Sequence, residues 1–455
     1  MKNHENLIRK YDVPVPRYTS YPTVPCWDIA SFSSSGWLRA VERAFDESNE
    51  SKGISLYIHL PFCESLCTYC ACNTRITKNH QVETRYIQSL LTEWALYRYI
   101  FGDRPVIREL HLGGGTPTFF SPANLHHLLE SLLKHCSIHP QHEFSFEGHP
   151  NNTTREHLHV LAGLGFRRVS FGVQDLDARV QQAIHRVQPL ANLEQAVLHA
   201  REEGFTSIGF DLIYGLPYQT LDTITHTFRE VIRLNPDRIA FYSYAHVPWL
   251  KPGQRGYEDA DLPGDTQKRQ LYETGRTLLR EAGYADIGMD HFAHRHDSLF
   301  RARESGKLHR NFMGYTTSNT DLLIGLGASA ISDAKYAYAQ NLKGVEEYEQ
   351  QVSQHKLPLL KGHLQTPEDL LMRQCIESIS CQGALDTKFI QEVATPKIEE
   401  DLTGLINEGI ITVNDNGLLV TDSGYTFIRN ICRVFDKRQD LQHASQNGPV
   451  FSKAI

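Results

Sequence analysis

The chain has 455 residues, 40% of them apolar, which is length enough for about two to four domains and composition enough for a large buried core. Its net charge of −7 excludes a dominant nucleic-acid-binding surface, because that work needs a basic field to displace counterions; an anionic ligand must meet a local basic pocket. The opening MKNHENLIRK is charged and lacks an apolar signal core, and no run is apolar for long enough to span a bilayer, so a cytoplasmic protein with no membrane span is expected.

In chain order, residues 1–52 read as an N-terminal arm, with Pro16-Arg17-Tyr18-Thr19-Ser20-Tyr21-Pro22 biased by its prolines toward extended backbone. From 53 to 283, short β-rich runs alternate with amphipathic helical stretches. The runs fall at 55–60, 109–112, 143–146, 168–173, 207–214 and 238–244, and the helical stretches include 81–100, 122–135, 190–203 and 221–234. Gly163, Gly165, Gly204 and Asn235-Pro236 stand where helices should stop before the next strand. Repeated β-then-α units predict an α/β fold with a parallel sheet, and six of them predict an open, partial barrel instead of a closed one. Residues 284–365 read as a loop-rich extension covering the site, with Gly288 to Ala293 and Arg310 to Thr317 as its chemistry-bearing stretches. Residues 366–440 read as a mainly helical module whose two apolar strands, joined at Asp415-Asn416-Gly417, resemble a winged helix. It lacks a basic recognition stripe, so packing or lid duty is expected of it, and residues 441–455 form a polar tail.

The first strand runs straight into Cys63-Glu-Ser-Leu-Cys67-Thr-Tyr-Cys70-Ala-Cys72. Structural zinc favours two knuckles approaching from different sides, and there is no second knuckle here. A disulfide framework suits small secreted chains, which this is not. Cys26, Cys136, Cys375, Cys381 and Cys432 are scattered singly, as buried hydrophobes are. Thiolates at Cys-x3-Cys-x2-Cys suit an iron–sulfur cluster, and three ligands would leave one iron open to a small molecule.

In parallel barrels chemistry gathers at the carboxyl ends of the strands. Those ends carry Gly113-Gly114-Gly115-Thr116, Glu147, Gln174-Asp175, Asp211 and Tyr244-Ala245-His246. The glycines admit backbone close to a ligand amino group, where a Cβ would intrude. Glu147 and Asp211 suit an ammonium and ribose hydroxyls, and Arg186 suits a carboxylate held bidentately. Helix capping and solvated surface charge are the plain alternatives, strongest for Asp175 and for a lone arginine. His291, His294 and His296 belong to a chain with 23 histidines and are not assigned to metal.

With these residues in place the chain resembles the oxygen-independent coproporphyrinogen III oxidases, radical S-adenosylmethionine (SAM) enzymes of heme biosynthesis. The likeness runs from Pro16–Pro22 through the cysteine motif and Asn73, Gly113–Thr118 and Asp211–Pro217 to Gly288–Ala293, Asn311–Thr317 and Ala328–Ser332. The three-cysteine motif marks only the superfamily; Cys72, the arm and the segment after the barrel narrow it. The resemblance implies a partial (βα)6 TIM-like radical SAM barrel and a [4Fe-4S] cluster on Cys63, Cys67 and Cys70, with Cys72 close by but not a ligand. It implies two S-adenosylmethionine molecules, the first on Tyr57, Gly114, Glu147 and Ile331, the second on Tyr69, Gly115, Thr116, Gln174, Arg186, Asp211 and Ala245. The implied reaction starts when a reduced cluster cleaves S-adenosylmethionine; the resulting radical takes a hydrogen atom from the β carbon of a propionate, and the substrate radical loses carbon dioxide and one electron to leave a vinyl group. Two rounds turn coproporphyrinogen III into protoporphyrinogen IX. The partners implied are the porphyrinogen and a small electron-donor protein such as flavodoxin or ferredoxin. Without a heptad or interface stripe, a monomer is expected.

Four positions depart from the family pattern: Met313 replaces a usual glutamine, Ala71 a common glycine, and Gly148-His149 a larger apolar residue and an acid. Met313 matters most, since a thioether hydrogen-bonds poorly where an amide would not. The main rival reading is a heme-trafficking or heme-degrading relative without decarboxylase activity, and Cys72 and the arm speak against it. A DNA-binding iron–sulfur sensor is opposed by the acidic balance.

Overall fold

The computed structural model describes residues 2–249, 251–438, 451 and 453. The chain opens with α1 (Lys2–Tyr11), an irregular segment and α2 (Ser34–Lys52), which leads into β1 (Ile54–Leu60). The cysteine loop follows, bounded by β2 (Phe62–Cys63) and β3 (Arg75–Ile76), which pair in parallel. Then come α3 (Val82–Phe101), β4 (Val106–Gly114), α4 (Pro122–Leu133), β5 (Ser137–Gly148), α5 (Arg155–Gly163), β6 (Phe166–Gln174), α6 (Ala178–Ala183) and α7 (Leu190–Glu202). The series ends with β7 (Ser207–Tyr214), α8 (Leu221–Leu234), β8 (Arg238–Ser243) and α9 (Asp265–Glu281). The six strands expected from the sequence lie side by side in the order β1-β4-β5-β6-β7-β8, all parallel.

Period-two patterning explains how they pack. In β1, Ile54, Leu56, Ile58 and Leu60 are fully buried against helices, while Ser55, Tyr57 and His59 face the barrel interior with polar groups. In β7, Ile208, Phe210 and Leu212 are buried in the same way, leaving Gly209 and Asp211 on the inner face. The inner face is therefore polar, and it is where the chemistry sits.

The segment after α9 departs from expectation. It contains β9 (Tyr284–Gly288), β10 (His291–His294), α10 (Ser298–Glu304), β11 (His309–Asn311), β12 (Gly314–Thr316), β13 (Leu323–Leu326), β14 (Ile331–Asp333), β15 (Ala337–Asn341), α11 (Val345–Ser353) and β16 (Leu359–Leu364). Instead of one loop-rich cover, these strands widen the sheet at both edges: β10 and β9 beyond β8, and β13 to β16 beyond β1. Each is three to six residues long, too short to show periodicity. The β11–β12 hairpin and the residues after it enter the barrel. Thr316 Oγ1 donates to Glu109 at 2.8 Å, Thr317 Oγ1 to Glu143 at 2.5 Å, and Thr320 Oγ1 lies 2.7 Å from Ser55 Oγ.

The arm is likewise more than an extended segment, because α2 packs Trp37, Val41 and Phe45 into the main core. Each such side chain contributes roughly 2 kcal/mol relative to exposure. Ahead of it, Val15, Tyr18 and Tyr21 join a second core with Met372, Ile376, Phe427 and Ile431. That core belongs to α12 (Pro367–Gln382), β17 (Ala384–Asp386), α13 (Thr387–Val393), α14 (Pro396–Asn407), β18 (Ile411–Asn414), β19 (Gly417–Val420) and α15 (Ile428–Val434), with strand order β17-β19-β18. The arm thus fastens this unit to the barrel. Of the polar tail expected over 441–455, only residues 451 and 453 are among those described, where no helix is long and apolar enough to cross a membrane.

Glu93 on α3 anchors the added strands. It accepts from Gly327 N–H at 2.8 Å, Asn341 Nδ2 at 2.7 Å and Tyr348 Oη at 2.7 Å, and burial pushes its carboxyl up to about 7 against those three donors. Unfolded, the same group titrates near 4.5, so the folded chain holds an extra proton between those values and loses stability as pH rises through them. The unfolding free energy of Glu93→Gln should therefore move by roughly 2 kcal/mol in the variant's favour, relative to the parent, between pH 5 and pH 8. Denaturant titrations at both pH values check this, and parallel curves would disprove it.

Candidate active site

The cysteine loop is held at both ends and along its length. Arg75 N–H donates to Pro61 O at 2.8 Å and Thr77 N–H to Cys63 O at 2.9 Å, closing its neck. Cys70 N–H donates to Cys67 O at 3.1 Å, a turn that brings those two cysteines together. Thr68 fastens the loop to the end of α6 through Ile184 O at 3.1 Å and Ala183 O at 3.3 Å. Cys63 Sγ lies 3.3 Å from Thr116 Oγ1, and Arg186 Nη1 donates to Cys67 Sγ at 3.6 Å. Cys63, Cys67 and Cys70 are half-buried and Cys72 is exposed.

The glycine run meets this loop backbone to backbone. Gly115 N–H donates to Leu60 O at 2.8 Å and Thr116 N–H to Phe62 O at 3.0 Å. A Cβ on Gly115 would stand 2.6 Å from the Pro61 carbonyl carbon, so no other residue fits. Gly114 has φ +111, which side chains rarely adopt, and a Cβ there would meet the His59 ring at 2.7 Å.

Two carboxylates stand on the next walls with opposite tendencies. Burial works to raise Glu147, but the hydrogen bond and charge of His111, whose Nε2 is 3.5 Å away, and the Gly114 N–H at 3.2 Å outweigh it and hold the carboxyl below its ordinary value. Among the described residues Asp211 has only Ser170 Oγ donating, at 3.2 Å; burial, then the neighbouring Glu147 charge, pushes it up to about 7. One site is anionic at neutral pH and its neighbour is poised to become so.

These groups open onto one cavity of about 470 Å³. Of the residues named from sequence, Cys63, Cys67, Cys70, Tyr69, Gly114, Gly115, Thr116, Glu147, Gln174, Arg186 and Asp211 line it together. Gln174 does so with φ +66, an uncommon conformation for a residue with a side chain. Tyr57, Ala245 and Ile331 are not among its walls. Tyr57 lies deeper, stacked on His111 at 6.0 Å; Ala245 is exposed beyond β8; Ile331 opens β14 opposite Gln340. Sequence reasoning missed His111, Ser170 and Tyr242, which interrupt apolar strands on the inner face, as in Leu110-His111-Leu112. That alternation was the available signal. A larger cleft of about 830 Å³, between α9 and the C-terminal unit, is lined by none of the residues named for a cofactor.

The donor set suits an iron–sulfur cluster. Among the described residues no three His, Cys, Asp or Glu side chains converge as ligands of a single ion, whereas a cluster takes one thiolate per iron. Burial pushes the Cys63 thiol up to about 11, so a thiolate there at neutral pH calls for a cationic centre. Arg186 donates Nη2 to Gly172 O at 2.8 Å and keeps Nε buried with no partner among the described residues, a donor available to a ligand carboxylate.

Comparison with known proteins agrees with this chemistry. Residues 57–231 match the family model of the radical SAM superfamily. The oxygen-independent coproporphyrinogen III oxidase of Escherichia coli K12 is 39% identical over 437 residues, covering 94% of each chain, and that of a Synechocystis strain is 35% identical, covering 99% of this chain and 97% of its own. The solved structure of the Escherichia coli coproporphyrinogen III oxidase, described as a radical SAM enzyme, superposes with a TM-score of 0.88 at 37% identity, covering 95% of this chain and 98% of its own. On these matches, and with a three-cysteine loop set on a parallel βα barrel, the chain belongs to the oxygen-independent coproporphyrinogen III oxidase family of radical SAM enzymes.

Proposed function

We propose that this cavity performs the oxidative decarboxylation of coproporphyrinogen III without oxygen, converting two propionates to vinyl groups and giving protoporphyrinogen IX for heme biosynthesis. The observation that carries the reading is the meeting of Cys63, Cys67 and Cys70 with the glycine end of β4 and two carboxylates on one cavity wall. When bound, the [4Fe-4S] cluster and S-adenosylmethionine supply an electron and an organic radical able to take hydrogen from a propionate. The chain's own residues bind, orient and exclude water.

Cys63, Cys67 and Cys70 hold the cluster, and Arg186 orients the Cys67 sulfur. The Gly114 backbone, Glu147, Tyr57 and Ile331 serve the first S-adenosylmethionine, with Glu147 anionic and matched to an ammonium. Gly115, Thr116, Tyr69, Gln174, Arg186, Asp211 and Ala245 serve the second, Arg186 offering its free Nε to a carboxylate. The Met313 turn of the β11–β12 hairpin and the C-terminal unit border the substrate. A small electron-donor protein such as flavodoxin or ferredoxin supplies the electron, and the chain works as a monomer in the cytoplasm. The heme-trafficking alternative is not favoured by relatives that carry the oxidase name over nearly the whole chain.

Anaerobically reconstituted protein, given a reductant, S-adenosylmethionine and coproporphyrinogen III, should release carbon dioxide and form protoporphyrinogen IX. Formation of 5′-deoxyadenosine without decarboxylation would leave the superfamily and sink the oxidase. Cys63→Ala should lose cluster iron and its visible absorbance while Cys72→Ala keeps both; equal loss contradicts the ligand set. Because Asp211 gains its charge as pH rises through about 7, affinity for cationic S-adenosylmethionine should tighten across that window. Asp211→Asn should flatten the pH profile measured by equilibrium dialysis, and an unchanged profile would remove Asp211 from the site.

A further inference from the structure

Strand β5 ends at Gly148, and the next residue, His149, lines the cysteine cavity without a part in the chemistry described above. Its carbonyl accepts from Asn152 N–H, Thr153 N–H and Thr153 Oγ1, each at 2.9 Å, so the residue heads a tight turn. The same turn fixes the ring, because Asn151 N–H donates to His149 Nδ1 at 3.1 Å. A backbone N–H can only donate, so Nδ1 carries a lone pair and the imidazole is the neutral tautomer with its proton on Nε2. Burial, then the charge of Arg186, lowers the group to about 3 and keeps the ring neutral through the physiological range. With Nδ1 turned to the backbone, the Nε2–H has no acceptor among the described residues.

Arg186 lines the same cavity, and one residue ties the two together. Asn151, which holds the His149 ring, also donates Nδ2 to the carbonyl of Val187, next in chain to Arg186, at 3.0 Å. Arg186 commits Nη1 to Cys67 Sγ and Nη2 to Gly172 O, leaves Nε buried and unbonded, and forms no ion pair with a carboxylate among the described residues. Two N–H donors, one charged and one neutral, thus border one end of the cavity. A carboxylate, with an oxygen for each, fits them. Glu147 and Asp211 border the same space, which disfavours a ligand bearing several negative charges and favours one that carries cationic groups beside its carboxylate. The amino-acid end of S-adenosylmethionine has that character.

We propose that His149 is a further binding residue of this site, donating its Nε2–H to the carboxylate of the second S-adenosylmethionine beside the Arg186 guanidinium. A neutral donor leaves the charge of Arg186 to the ligand, whereas an acid at 149 would pair with the guanidinium and compete for it. The inference deepens the cofactor assignment of Arg186 made above and rests on it.

The test measures binding of S-adenosylmethionine to the cluster-loaded, unreduced enzyme by equilibrium dialysis, beside its decarboxylated analogue and coproporphyrin III. An asparagine amide reaches only as far as Nδ1 and a glutamine amide as far as Nε2, so the two separate the turn from the donor. His149→Asn can still accept from Asn151 N–H and keep the turn. In it one of the two molecules should bind about 10- to 100-fold more weakly, as loss of a hydrogen bond to a charged group does. His149→Gln should stay close to the parent, and His149→Asp should fall below His149→Asn because its charge pairs with Arg186. The decarboxylated analogue should bind the parent, His149→Asn and His149→Gln alike. Parent affinity for S-adenosylmethionine in both His149→Asn and His149→Asp overturns the assignment and spares the cofactor reading. Equal losses for S-adenosylmethionine and its decarboxylated analogue mark a structural role and overturn it too, as does a loss confined to coproporphyrin III. A parent enzyme that holds the decarboxylated analogue as tightly as S-adenosylmethionine counts against Arg186 as a carboxylate site and against the inference together.

Discussion

Where β4 ends, its backbone lies directly on the first residues of the cysteine loop, through the Gly115 and Thr116 amides and the carbonyls of Leu60 and Phe62. This contact leaves no room for a Cβ at Gly115, and it fixes the distance between the thiol-bearing loop and the wall that would face a cluster ligand. The rest of the site is built outward from it. Gly114 N–H holds Glu147, Glu147 raises Asp211, and Thr116 touches Cys63, so one change of backbone spacing at β4 would displace every one of these groups.

How much of this was legible depended on the range of each interaction. The cysteine loop was readable because cluster ligation is local, with Cys63, Cys67 and Cys70 spaced within one turn of chain. The six parallel strands were readable because each carries its own apolar alternation, as Ile208-Gly209-Phe210-Asp211-Leu212 does. The edge strands β9, β10 and β13 to β16 were not, since a four-residue strand such as Leu323–Leu326 becomes a strand only by pairing with β1, more than two hundred residues earlier in sequence. His111 and Ser170 escaped for the same reason. Their roles come from neighbours in register across the sheet, and a single run shows only that a polar residue is present.

The arm and the C-terminal unit make one closure between them. Buried Arg429 donates to the carbonyls of Val15 and Pro16, and the next residue, Arg17, pairs with Asp290 after β9. Two neighbouring residues of the arm thus face two different bodies, the helical unit on one side and the barrel mouth on the other. The unit packs its own apolar core against Val15, Tyr18 and Tyr21 of the arm.

The hydrogen bonds from Thr316 and Thr317 to Glu109 and Glu143 stopper the amino ends of the barrel strands. Traffic is thereby one-sided. The cysteine cavity lies at the opposite, carboxyl-end face, so the plug and the chemistry occupy the two ends of the same strands.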